Sequence, residues 1–448
     1  PWRPNVPRLF SRGLGNRVLK IMIQAGAIVS TDNELVQACL KTLSSLFRIY
    51  TDRTPRVKGA RAPAEEEEGN GKEQQENALL PIDEQRIRML LDLVGTSLND
   101  MLTKHQNAAF GLLRAIIDAK VLVPELFGLV TRLADQVVYS HRSGVRDAAS
   151  GTVISFLLAY PLSQKNLVEL MKQLLANCSY EYEEGRVAAL GLLRNLVKLL
   201  PLPVLADFSN MIVLSMATAV INDSSAAAAA AAGTVMASLL SRSEAEFTQQ
   251  VMELVLQWLG QAPSELQAST RAVGVMRVGA AVAEILAAAR PDVLKSAAAV
   301  GPVLRCIQPV LALLLPGFKA MTGETLNAAE ESEKNSTFPA DAQNASNNPS
   351  TDAQDIAGDS PRVDLVYRLI SLTTTLLRKL PSATNAALVQ TPGEAEAEGA
   401  GRGVATPPPF MELVQEAVLF PQARVRTAAC VLLRAYLEHR DCTRLAEK

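Results

Sequence analysis

At 448 residues the chain has room for two or three ordinary globular domains, or for one elongated domain that grows by repetition. Apolar residues make up 48% of it while aromatics reach only 4%, and Leu, Ala and Val carry the apolar share, a balance that favours helix and speaks against a sheet protein. The formal net charge of -2 excludes the global basic field of a protein that coats nucleic acid by charge alone.

The chain opens PWRPNVPRLFSRG, without an initiator methionine, a leading apolar core or a cleavage motif, so no secretory signal is expected and the chain reads as a piece of something longer. Residues 1–31 carry Arg3, Arg8, Arg12, Arg17 and Lys20 with no acid among them. These five are the candidate contacts for RNA phosphates, where each neutralised phosphate adds salt-dependent affinity. An ordinary solvated helix face explains the same charges.

Helical periodicity then alternates with solvated stretches. Residues 1–52 read as a helical repeat segment, and 53–80, with the run Glu65 to Glu68, as an acidic disordered linker. Residues 81–326 read as a helical solenoid, 327–361 as a disordered insertion and 362–389 as a further repeat segment. Residues 390–409 form a Pro/Gly/Glu-rich linker, and 410–448 a C-terminal repeat segment. Within the long segment, apolar stripes predict helices over 83–101, 107–121 and 122–138, the last opened by Pro124 in its first turn, where a missing N–H costs nothing. Two stretches invite a membrane test. Ser224 to Ser241 is mostly Ala, Ser and Gly, and Cys306 to Phe318 is short with two prolines, so neither reads as a span.

A longer period overlies the helical one. Val145-Arg146-Asp147-Ala148-Ala149 and Gly185-Arg186-Val187-Ala188-Ala189 align forty positions apart, each leading into an apolar helix that stops at a proline. Asp223 to Leu240 and Ala268 to Leu286 are weaker copies, and Val425-Arg426-Thr427-Ala428-Ala429 restates the motif near the end. Two helices in about forty residues cannot bury their own apolar face, so neighbouring pairs must stack. The alanines permit close approach, the Leu and Val stripe forms the core between repeats, and the proline ends the helix. Arg146, Arg186 and Arg426 are assigned a structural role near the helix start, pairing with an acid of the same or the next repeat.

Motifs that carry chemistry are not expected. His105, His141 and His439 read as surface residues; Cys430, His439 and Cys442 match no zinc spacing; and the five cysteines read as free thiols. Gly274-x-x-x-x-Gly279 is followed by Ala-Ala instead of the Lys and Ser/Thr of a phosphate loop. Paired carboxylates fall mainly in the linkers, which cannot hold them at a fixed separation.

The two-helix period resembles the HEAT and armadillo class, which implies an all-α helical-repeat solenoid, an α-α superhelix with disordered insertions. The phrases HQNAAFGLLRAIIDAKVLVPELF, LLAYPL, LLANCSYEYEEGRVAALGLLRNLVKLLP and MATAVINDSSAAAAAAAGTVMASLL resemble the central to C-terminal part of the U3 small nucleolar RNA-associated protein 20 family. That resemblance implies a nucleolar, non-catalytic scaffold of the small-subunit processome. Its partners would be other processome proteins, precursor ribosomal RNA and U3 RNA, with no cofactor, no small-molecule substrate and no membrane. The alternative is a transport-receptor or adaptor solenoid that binds protein cargo, since one architecture serves both.

Overall fold

The computed structural model describes residues 33–53, 84–98, 103–121, 123–294, 299–315, 361–389 and 410–446. Every regular element among them is a helix. The chain divides into two compact units, one running to Leu200 and the other starting at Pro201.

The first unit contains α1 (Asn33–Arg53), α2 (Glu84–Leu98), α3 (Thr103–Asp118), α4 (Pro124–Tyr139), α5 (Ser143–Ala159), α6 (Gln164–Asn177) and α7 (Glu183–Leu199). Helices α1, α3, α5 and α7 pack side by side as one row and α2, α4 and α6 as a second, each helix of the second row pairing with its successor in the first. The helices α3, α5 and α7 begin forty residues apart, and so do α4 and α6. The core repeats with the same step: Ala109, Ala149 and Ala189 are buried, as are Leu113, Val153 and Leu193, and Ile116, Phe156 and Leu196. Alanine at the first of these positions lets the rows close, and the larger residues beyond it fill the space between hairpins; each contributes roughly 1.5–3 kcal/mol of burial before entropy is counted.

Local signals set the ends. Pro124 occupies the first turn of α4, and Ser163 Oγ accepts from Asn166 N (3.3 Å) to cap α6. Tyr160, between α5 and Pro161, is extended at φ -89° and ψ 134°, the conformation that a following proline imposes. The two rows are also stitched by side chains. Arg114 of α3 donates to Thr152 Oγ1 and the Ala148 carbonyl of α5 (both 3.1 Å). In the second row Gln173 donates to Asp135 Oδ1 (2.7 Å) and the Thr131 carbonyl (3.1 Å), and Asn177 to the Ala134 carbonyl (3.0 Å).

The second unit contains α8 (Leu202–Asn222), α9 (Ala226–Arg242), α10 (Ala245–Leu259), α11 (Pro263–Ala268), α12 (Thr270–Ala289), α13 (Ala299–Leu315), α14 (Pro361–Lys379), α15 (Pro381–Val389), α16 (Phe410–Val418) and α17 (Ala423–Ala446). Here α9, α12, α14 and α17 pack successively. The opening of α9 is seven alanines, the strongest helix formers, behind a Ser225 cap whose Oγ accepts from Ala228 N (3.2 Å). Two described helices, α8 and α12, are long and apolar enough to cross a membrane by length and composition. Packing accounts for that apolarity: α12 lies against α8, α9, α10, α11 and α14, and α8 buries Leu205, Phe208, Ile212 and Met216.

Candidate binding surface

The three motif arginines occupy one geometry. Arg146 Nη1 donates to the Ser140 carbonyl (2.9 Å), Arg186 Nη1 to the Tyr180 carbonyl (2.9 Å) and Arg426 Nη1 to the Phe420 carbonyl (2.9 Å), always six residues back. Arg186 adds the Glu181 carbonyl (2.7 Å), and Arg426 also donates to the Pro421 carbonyl. Each guanidinium thus reaches from the first turn of its helix into the tight connection before it. It meets carbonyls at the end of the preceding helix or in the turn that follows it. Arg146 also pairs with an acid of the next repeat, Glu184 Oε2 at 3.2 Å, where Glu184 is exposed. A charge-assisted bond to a backbone carbonyl six residues back is common to all three.

Gly185 replaces the motif valine for a steric reason. A Cβ there would lie 2.5 Å from Tyr180 Cδ1 and 2.7 Å from the Val138 carbonyl oxygen. The Tyr180 ring fills that space, edge-on to Tyr139 with centroids 4.9 Å apart.

Two places on the helix rows present charge in a concave or clustered form. In the first unit a cavity of about 510 Å³ lies between α1 and α3, lined by Gln37, Lys41, Ser44, Arg48, Asn107 and Gly111. Ser44 Oγ donates to the Gly111 carbonyl (3.1 Å) across its floor, and Lys41 and Arg48, two turns apart on one face of α1, supply its positive charge. In the second unit Asp364 of α14 lies between three arginines. Its Oδ2 is met by Arg277 Nε (2.8 Å) and Nη2 (2.7 Å) from α12 and by Arg368 Nε (2.8 Å), while Oδ1 receives Arg424 Nη1 from α17 at 3.4 Å. Arg424 also lies over the Tyr367 ring, 3.8 Å from its centroid. Burial pushes the Asp364 carboxyl up, but hydrogen bonds and charge from Arg368 and Arg277 outweigh it and hold the group below the usual carboxylate range. Further along, Glu284 Oε1 accepts from Ser371 Oγ (2.7 Å) and Thr375 Oγ1 (3.4 Å).

The remaining sequence candidates divide as follows. Arg3, Arg8, Arg12, Arg17 and Lys20 lie outside the described residues, as do the linkers over 54–80, 327–360 and 390–409. His105 is not on the surface: it is 4% exposed, because α3 starts at Thr103, earlier than the periodicity suggests, and carries His105 and Gln106 under the end of α2, where Gln106 Nε2 donates to the Leu98 carbonyl (3.1 Å). His141 is exposed and His439 half-buried. Cys39, Cys178, Cys306 and Cys430 are free thiols, and no group of three His, Cys, Asp or Glu among the described residues is placed to hold a metal. Sequence reasoning missed the Asp364 clasp: the i,i+4 spacing of Asp364 and Arg368 was its one local signal, and Arg277 and Arg424 are 87 and 60 residues away from Asp364.

Fold and surface together define an all-α helical-repeat protein of the HEAT and armadillo kind, whose distinctive polar features are arginine contacts in turns and between neighbouring helices of a row. No family model matches the chain. It is similar to U3 small nucleolar RNA-associated protein 20 of Schizosaccharomyces pombe, with 26% identity over 177 residues, 40% of this chain and 7% of that protein. The Saccharomyces cerevisiae protein of the same name is 23% identical over 232 residues, 52% of this chain and 8% of that one. The resemblance read from the quoted phrases is borne out, and the chain spans less than a tenth of the length of these curated relatives. Among solved structures, importin beta covers 93% of this chain with 42% of its own length at 12% identity and a TM-score of 0.35. Kap121p covers 95% with 37% of its own at 10% identity and 0.33. Likeness this slight bears on neither partner nor function.

Proposed function

We propose that this chain is a non-catalytic scaffold segment of the small-subunit processome. In this reading it supports processing of precursor RNA towards 18S rRNA in the nucleolus through extended contacts with processome proteins, precursor RNA and U3 RNA. The observation that carries the reading is the similarity to two U3 small nucleolar RNA-associated proteins over 40 to 52% of the chain. The architecture suits it: hairpins stacked in rows offer long surfaces, and the arginines of those surfaces are placed for contact instead of turnover. The test is purification of the tagged chain from nuclear extract with sequencing of the RNA that accompanies it. Enrichment of 18S precursor and U3 RNA is expected; recovery of protein cargo with no RNA would replace the scaffold with an adaptor.

A further inference from the structure

The Asp364 clasp leaves a charge imbalance inside the second unit. Asp364 is 12% exposed, and Arg277 and Arg368 are 19% and 18% exposed, so one carboxylate and two guanidinium groups share a site with little access to water. Arg424, 56% exposed, adds a third positive charge at the mouth. On α12, two turns from Arg277, Glu284 accepts from Ser371 and Thr375 of α14. A partly buried positive charge without a counter-charge is costly, and an anion that enters removes the cost.

The donors have a direction as well as a charge. A guanidinium carries five N–H groups in a planar fork, and among the described residues Arg368 gives Asp364 only its Nε–H and Arg424 only one Nη1–H. Forks with free edges match the paired oxygens of a phosphate. Arg424 has its Cζ over the Tyr367 ring, 3.8 Å from the centroid, so a cation and an aromatic ring stand together beside the charge, a pairing that suits an unpaired base next to its phosphate and that an acidic peptide would not use.

We propose that Arg277, Arg368 and Arg424 form an anchoring site for a backbone phosphate of single-stranded RNA, with the adjoining base stacked on the Arg424–Tyr367 pair. The proposal rests on the scaffold reading only in expecting RNA as the natural occupant. The test uses the full chain and a short fluorescein-labelled oligouridylate, with binding followed by anisotropy over a series of salt concentrations. The double variant Arg368→Gln/Arg424→Gln is expected to bind more weakly, and its plot of log affinity against log salt to be shallower by about 0.7 for each phosphate contact removed. Arg434→Gln, on the same helix but already paired with Glu438, should match the wild type. Wild-type affinity and slope in a double variant that keeps its helical circular dichroism would overturn the proposal. So would failure of the wild type to bind, or competition by polyglutamate or inorganic phosphate as effective as by unlabelled RNA. If the double variant unfolds, Arg424→Gln alone, at the exposed mouth, decides by the same readout. A chain that binds the oligonucleotide through these arginines yet leaves nuclear extract without precursor RNA keeps the site and loses the processome. Precursor RNA that co-purifies unchanged with the double variant does the reverse.

Discussion

Replacing Gly185 by valine, the residue that stands at the matching positions Val145 and Val425, is expected to destabilise the chain although it restores the repeat pattern. The added Cβ would stand 2.5 Å from the Tyr180 ring and 2.7 Å from the Val138 carbonyl oxygen, against an optimal separation of roughly 3.5 Å or more. The ring can swing aside, giving up its edge-to-face contact with Tyr139, worth about 0.5–1.5 kcal/mol. The carbonyl cannot, because it belongs to the last turn of α4 and moves only with that helix. Overpacking of this kind costs about 1–3 kcal/mol, and the helix propensity recovered on leaving glycine is below about 1 kcal/mol. The expected balance is a net loss of roughly 1–3 kcal/mol for Gly185→Val, with a smaller loss for Gly185→Ala. Urea unfolding followed by circular dichroism measures it, and hydrogen exchange over residues 178–190 localises it, since in a repeat array a defect acts first on its own hairpin. Combining Gly185→Val with Tyr180→Ala should recover only part of the loss. A valine variant that unfolds at the same or higher urea, with unchanged amide protection, would refute the steric account.

Two further outcomes follow from groups held away from water. Asp364 has a folded-state pKa below its unfolded value of about 3.9, so its contribution is fully present above that pH and fades as pH falls through the folded value. The difference in Tm between wild type and Asp364→Asn should therefore be widest near neutrality and close in acid; a difference that stays constant down to about pH 3 would contradict it. Burial pushes the Cys178 thiol up to about 12, and its Sγ lies 3.4 Å from the Leu174 carbonyl, so a maleimide reagent should label exposed Cys430 in the native chain and reach Cys178 only after unfolding. Equal native labelling rates, read by peptide mass spectrometry, would contradict that.

The period was legible because burial and sequence repeat with one step. A single alignment of Arg146 with Arg186 places Ala149 on Ala189, Val153 on Leu193 and Phe156 on Leu196, all core positions. Helix starts were legible where a proline or serine marks them, as at Pro124, and less so at α3, which begins at Thr103 and draws His105 inside. The role of the motif arginines was half legible. Their place at the helix start follows from the spacing, and Arg146 meets an acid of the next repeat in Glu184, but the carbonyl six residues back belongs to the backbone, which no side-chain pattern advertises. The departure at Gly185 looked like noise in the repeat. It is a consequence of Tyr180, five residues earlier, and of an oxygen contributed by another helix. The Asp364 clasp lay beyond reach for a different reason: only its Asp364–Arg368 pair is local to one helix, and the packing of α12, α14 and α17 brings in Arg277 and Arg424.

The six-residue reach of Arg146, Arg186 and Arg426 has an evolutionary corollary. Donor and acceptors lie within one short stretch of chain, so any copied segment that spans a hairpin carries its own fastening and needs no matching change in its new surroundings. Duplication can thus lengthen such an array by whole units without a transitional form that is loose at the joint. The Asp364 cluster lacks that portability: a duplicate of α14 alone would bring the carboxylate and Arg368 but leave Arg277 and Arg424 behind, so the cluster is tied to its single place in the chain.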